Sequence, residues 1–185
     1  MLKKKLTYFI SIYFFFSFNA LSDQRVNIIS EINNLNSLEF EFQQKINDKL
    51  EKGDCLLEFP GKLKCNYYDN KQKTLIINNK KLVILQKRYD KKYFYPISKS
   101  PFLNILYKEN LIKLIKSGKL ESTKDNFQLI YNIEDEITVL FDKNNFELSG
   151  WKIIDQYNNE IIFNLKITAK NVIFSKNTFK LPSSN

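Results

Sequence analysis

Cys55 and Cys65 are the only thiols in the chain, ten positions apart, and there is no histidine to join them. Structural zinc sites use about four ligands, so two thiols alone do not make one. A reactive thiol needs a cationic or basic neighbour, and the commonest such neighbour, histidine, is missing. The pair either bonds to itself or stays buried and inert. Other reactive groupings are equally thin. No serine stands in a G-x-S-x-G elbow. Gly53, Gly61, Gly118 and Gly150 are isolated and cannot form a phosphate-cradling loop. Glu134, Asp135 and Glu136 fall between two apolar runs and read as a solvated hairpin tip. We therefore expect a binding protein, with no enzymatic activity, no cofactor and no metal site.

The residues around the thiols set their geometry. Residues 54–68 read DCLLEFPGKLKCNYY: Leu57, Phe59, Leu63 and Tyr67 are apolar at odd positions, while Glu58, Lys62, Lys64 and Asn66 are polar at even ones. Side chains alternate faces along a strand, so this is a β-hairpin pivoting at Pro60-Gly61, with one dry and one wet face. If odd positions face inward on both strands, paired numbers must sum to an even value. A three-residue loop gives a sum of 120, which sets Cys55 opposite Cys65. Cα atoms of a non-hydrogen-bonded pair lie about 4.5–5.5 Å apart, within reach of a disulfide. Two buried thiols are the alternative.

The elements on either side follow from period. Val26, Ile29, Ile32 and Leu35 recur at threes and predict a helix of about 12 residues. Leu38, Phe40 and Phe42 then alternate with Glu39, Glu41 and Gln43 as a strand, and residues 47–54 read as a polar turn. Residues 74–77, 82–86 and 92–96 are further short strands. Ser100-Pro101 is a helix start, with a capping hydroxyl and a first-turn proline. Phe102, Leu103 and Leu106, then Leu111, Ile112 and Ile115, form two short apolar helical segments ending at Gly118. Strand spacing resumes at residues 127–133, 137–141, 148–154, 160–167 and 169–174, with turns at 142–145 and 157–159. The expected fold is mainly β with helices, a strongly curved antiparallel sheet with an N-terminal helix and a helical insertion.

Lys3, Lys4 and Lys5 precede an apolar run at residues 6–18, and Ala20-Leu21-Ser22 offers small residues for cleavage. This predicts an export signal over residues 1–22 and one mature domain over 23–185. The run is shorter than the roughly 20 residues of a membrane span; an uncleaved anchor is the alternative. No cysteine lies at the cleavage point to carry a lipid. The mature chain keeps 26 basic and 20 acidic residues, a net charge of +6. Basic excess suits nucleic acid or anionic membrane. Here Lys71, Lys73, Lys80, Lys81, Lys91 and Lys92 are spread through turns, only Arg25 and Arg88 are arginines, and no RNA-binding motif surrounds them. No nucleic-acid partner is expected. The 16 phenylalanines and 10 tyrosines exceed what one small core needs. A curved sheet under apolar helices encloses either a plain core or a closable lipid pocket.

A set of weak motifs in order decides between these. Phe42-Gln43 within EFEFQQ, Gly53 through Pro60-Gly61 to Tyr67, IINNKKLVIL and Tyr89-Asp90 come first. Ser100 to Leu106 (SPFLNIL), then Leu148, Trp151 and Asp155, then Asn171, Phe179 and Pro182 complete the series. Together they resemble the periplasmic outer-membrane lipoprotein carrier (LolA-type) family. The resemblance implies an incomplete, unclosed antiparallel β-barrel lidded by an N-terminal helix and short inserted helices. It also implies a periplasmic chaperone that binds the acyl chains of lipoproteins and carries them from the inner to the outer membrane. An inner-membrane ABC-type release complex would be the donor, an outer-membrane acceptor or the membrane itself the recipient, and the carrier a monomer. The alternatives are a related half-barrel that binds lipid (a glycolipid carrier or an envelope sensor) or a sealed exported domain.

Inward-facing Phe40, Phe42, Leu57, Phe59, Leu63, Tyr67, Val139, Phe141, Trp151 and Ile153 are the candidate cavity residues, and Phe102, Leu103 and Leu106 the candidate lid. Many members of the family place an arginine before the hairpin proline to hold the lid; Phe59 stands there instead. We therefore expect closure by apolar packing of Phe59 on Phe102, Leu103 or Leu106, without an arginine on lid carbonyls. Asn79 replaces the family's turn glycine, which Asn tolerates because it also adopts left-handed conformations.

Overall fold

Alternation of apolar and polar side chains, the pattern of strands wet on one face, recurs in segments on either side of the helical insertion between residues 37 and 170. In the computed structural model, which describes residues 17–98, 100, 102–132, 136–154 and 158–183, it builds one 11-stranded sheet. The strands are β1 (Ser37–Ile46), β2 (Lys49–Glu58), β3 (Lys62–Tyr67), β4 (Lys73–Asn78), β5 (Lys81–Gln86) and β6 (Lys91–Pro96). After the helices come β7 (Lys119–Ser122), β8 (Asn126–Asn132), β9 (Glu136–Asp142), β10 (Leu148–Ile154) and β11 (Glu160–Lys170). Their order is β6-β5-β4-β3-β2-β1-β11-β10-β9-β8-β7, so the last strand inserts beside the first and every pairing is antiparallel. β6 and β7 end the sheet without meeting, and the barrel is unclosed.

The register puts one set of side chains inside. Phe42 pairs with Gly53 and Leu165, Leu57 with Leu63, Leu63 with Ile77, and Trp151 with both Phe163 and Val139. Helices α1 (Ser17–Asn33), α2 (Leu103–Leu106) and α3 (Lys108–Ser117) cover this concave face. Ile28, Ile32, Ile105, Leu106, Leu111 and Ile115 are buried in one cluster with Phe40, Leu57, Val139 and Phe141. α1 and α3 lie antiparallel and are tied at both ends. The Arg25 guanidinium donates to the carbonyls of Ile115 and, at 2.8 Å, Gly118. The Lys108 ammonium donates to Asn33 O at 3.3 Å and Asn36 Oδ1 at 3.2 Å.

Several expectations are corrected. The polar turn is only Asn47-Asp48, with Asn47 left-handed (φ 51°), and β2 begins at Lys49 because Glu51 turns inward to lysine partners. Residues 160–174 hold one strand, not two. β11 runs through a bulge opposite Glu39/Phe40 and ends at left-handed Asn171, whose side chain binds Asn34 O and Asn36 N. Val26 points to solvent (62% exposed), and the buried stripe of α1 is Ile28 and Ile32. Four-residue β7 carries too short a pattern to be seen in the sequence. Residues 1–16 of the expected export signal, with Pro101, Ile133, Glu134, Asp135, Asp155 and Tyr157, lie outside the described residues. No helix among the described residues is long and apolar enough to cross a membrane.

Candidate functional site

Five rings cross the concave face in contact from β3 to the helical cover. Tyr67 meets Phe42 edge-on at 5.0 Å, Phe42 stacks on Phe163 at 4.8 Å, and Phe163 stacks on Trp151 at 4.2 Å. Trp151 in turn touches Phe102, just before α2, at 5.1 Å. The path exists because Phe42, Phe163 and Trp151 occupy neighbouring inward positions on β1, β11 and β10. Gly53 makes room for it: a Cβ there would stand 2.6 Å from the Phe42 ring.

Beside this path lies a cavity of about 1430 Å³, larger than the roughly 300–1,000 Å³ of drug-sized pockets. β3 and β4 contribute Leu63, Cys65, Leu75 and Ile77; the helical cover contributes Phe102, Leu103 and Tyr107. Tyr95 and Pro96 line it and are exposed to solvent, so it opens along β6. Cys65 stands in its wall, opposite Cys55 in register, and the two sulfurs are bonded.

Part of the cavity wall is polar. Tyr67 Oη donates to Gln44 Oε1 at 3.3 Å, and Gln44 Nε2 donates to Glu51 at 3.4 Å. Glu51 is buried, but Lys49 and Lys73 approach its carboxylate at 2.6 and 2.8 Å. Burial pushes the Glu51 pKa up; the bonds and charges of the two lysines outweigh it, and the carboxyl sits below its usual range. Burial, helped by the Glu51 and Asp69 carboxylates, holds the Tyr67 hydroxyl well above the ordinary tyrosine value, so it remains a neutral donor. The cavity thus offers a mainly apolar surface, with Gln44 and Tyr67 hydrogen-bonded to each other in one wall and Ser98, Ser100, Asn104 and Asn110 also on it.

The hairpin tip holds the cover. Gly61 N–H donates to Leu106 O at 2.7 Å, and Gly61 O accepts from Asn79 N–H at 2.8 Å. Gly61 is left-handed (φ 72°), so a side chain there would be strained, and its Cβ would displace the Tyr107 hydroxyl, 2.7 Å away. Asn79 is left-handed too (φ 56°).

Of the residues expected in the cavity or its lid, Leu63, Tyr67, Trp151, Ile153, Phe102 and Leu103 line it. Phe40, Phe42, Leu57, Val139, Phe141 and Leu106 face inward but pack into the core under α1, α2 and α3, because the helices fill that half of the barrel. Phe59 is half-buried against the same core, with the Lys108 ammonium 5.8 Å from its ring. That core includes Leu103 and Leu106 of the expected lid; beside it the backbone of Gly61 binds the α2 carbonyl, and Arg25 binds carbonyls at the end of α3. Phe163, Leu75, Ile77, Tyr95 and Ile97 were missed. Phe163, Leu75 and Ile77 share the inward parity of their strands and were within reach of the alternation argument; Tyr95 and Ile97 sit at the rim, where burial gives no signal.

The family model of the outer membrane lipoprotein carrier protein LolA matches residues 33–182. The chain belongs to that family. No curated protein matches it in sequence. Among solved structures, an uncharacterised conserved protein from Thermus thermophilus is 7% identical, with a TM-score of 0.51, over 88% of this chain and 95% of that one. MucB is 9% identical, with a TM-score of 0.51, over 89% of this chain and 64% of that one. A LolA superfamily protein from Nitrosomonas europaea is 7% identical, with a TM-score of 0.43, over 85% and 97%. At such identities the first two likenesses show a shared fold. The aromatic path and the cavity belong to a LolA-family half-barrel.

Proposed function

We propose that this chain is a periplasmic chaperone that holds the acyl chains of lipoproteins in its cavity and carries them from the inner to the outer membrane. The observation that supports the reading is the aromatic-floored cavity of about 1430 Å³ under a helical cover, in a chain of the LolA family. Each buried methylene contributes about 0.8 kcal/mol, so acyl chains alone supply the affinity and no reactive group is needed. The rings of Phe102 and Trp151 pack on each other and are the surface a chain would cover. Cargo and cover therefore compete, and loading shifts an existing closed-to-open equilibrium.

Export and removal of residues 1–22 would leave α1 from Asp23, with Arg25 still in place to bind α3. An inner-membrane ABC-type release complex is the donor, an outer-membrane acceptor or the membrane the recipient, and the carrier acts as a monomer. Native mass spectrometry of the protein taken from the periplasm tests this. Co-purified triacylated lipoprotein supports the carrier. Free lipid would instead mark a related lipid-binding half-barrel, and an empty chain a sealed domain.

A further inference from the structure

Part of the chain's basic charge is concentrated at one edge of the sheet. Residues 80–96 carry six basic side chains (Lys80, Lys81, Lys87, Arg88, Lys91 and Lys92) against the single acid Asp90, a net +5 out of the chain's +9. They occupy β5, its turns and β6, at one free edge of the sheet. None of the six forms an ion pair among the described residues.

Four aromatic side chains stand among them in solvent: Tyr89 is 52% exposed, Tyr93 37%, Phe94 46% and Tyr95 47%. Every residue of β6 is exposed. Tyr93 and Tyr95 pair with Ile84 and Leu82, and Phe94 between them pairs with Val83, so rings leave the strand on both faces. Lysines and a proline on an edge strand do protect it from pairing with other chains. Protection does not call for four exposed rings, which are costly in water. Amphipathic rings mixed with lysines that reach past them are what settles at the boundary between lipid headgroups and acyl chains. The charge is of the sign that anionic lipid attracts.

We propose that the β5–β6 edge docks on an anionic membrane surface. Lys80, Tyr95 and Pro96 belong both to this edge and to the cavity wall. Docking therefore turns the cavity mouth toward the bilayer, so that an acyl chain crosses little water between the two. This deepens the carrier reading by giving the mouth a surface to face. The docking itself rests on the edge's charge and exposed rings and needs no cargo.

The test is flotation of the purified, cargo-free protein with vesicles containing phosphatidylglycerol or made of phosphatidylcholine alone. Binding is expected to the anionic vesicles only and to fall with added salt. Charge reversal at Lys81, Lys91 and Lys92 should lower it about tenfold or more, and Phe94→Ser with Tyr95→Ser should lower it at unchanged charge. Lys166→Glu, Lys176→Glu and Lys180→Glu, exposed elsewhere, make the same change in net charge and should leave most binding intact. Near-ultraviolet circular dichroism confirms that the variants are folded. No flotation with either vesicle, equal flotation with both, or equal loss in the two lysine sets would overturn the proposal. So would a protein cross-linked through β6 while vesicles fail to bind, which would make the occupant a strand-donating partner. Since no lipoprotein is present, failure here leaves the carrier reading standing, and failure of cargo binding leaves this one standing.

Discussion

The Trp151 indole on β10 and the Phe102 ring at the entrance to α2 meet at 5.1 Å, and both line the cavity. Barrel floor and helical cover are thus joined through the surface that cargo would occupy. An aromatic pair contributes about 0.5–1.5 kcal/mol beyond area burial. Phe102→Ala should therefore raise the open population by roughly two- to tenfold, read as faster amide exchange in residues 102–106. Unchanged exchange there would show that the ring pair does not hold the cover.

Arg25 ties α1 to the last turn of α3, where cations are favoured by the helix dipole and unpaired carbonyls. Charge-assisted hydrogen bonds contribute about 1.5–3 kcal/mol when well formed; half-burial here puts the sum toward the low end. Arg25→Ala should lower the melting temperature by several degrees, and Arg25→Lys, which keeps the charge but lacks the pre-organised planar fork, should recover only part of it. Equal stability of all three proteins would rule out the tie.

Cys55 and Cys65 face each other across β2 and β3 with their sulfurs bonded. Protein produced in an oxidising compartment should yield the two cysteines in one linked peptide without reductant. Closing so short a loop contributes about 2–3 kcal/mol in the chain-entropy model, so reduction should lower the unfolding midpoint. Full alkylation of both thiols without reductant would contradict the bond.

The hairpin register was legible because parity is unforgiving: a one-residue slip would turn Leu57, Leu63 and Tyr67 to solvent. The same parity identifies Trp151 and Ile153. It cannot divide inward residues between core and cavity, since Phe42 and Tyr67 alternate alike and only the placement of α1, α2 and α3 separates them. At Phe59 the ring packs on the cluster that holds Leu103 and Leu106, and a backbone contact lies beside it. That contact to α2 is made by Gly61, and backbone bonds leave no side-chain pattern. Arg25 and Ile115 lie too far apart in sequence for spacing to pair them. The basic run at residues 80–96 stands in the sequence, but that it forms a free edge of the sheet is shown only by the strand order.

Glu51 makes stability depend on pH. Its pKa is lowered on folding from an ordinary 4.5, with Lys49 and Lys73 overcoming burial. The group's contribution is therefore complete above the unfolded value and is lost as pH falls through the lower folded one. Wild-type stability should decline from about pH 5 downward. Glu51→Gln should be less stable at neutral pH and show a shallower decline in acid. Parallel acid limbs for the two proteins would show that Glu51 does not report this linkage.

The chain's single tryptophan is Trp151, on the cavity wall, so its fluorescence reports the site alone. Titration with a lipopeptide carrying brominated acyl chains, heavy-atom quenchers that act at contact, tests the central claim most directly. Saturable quenching that the same peptide without acyl chains does not produce is the predicted result. Emission unaffected by the brominated lipopeptide at saturating concentration would mean that acyl chains do not enter this cavity.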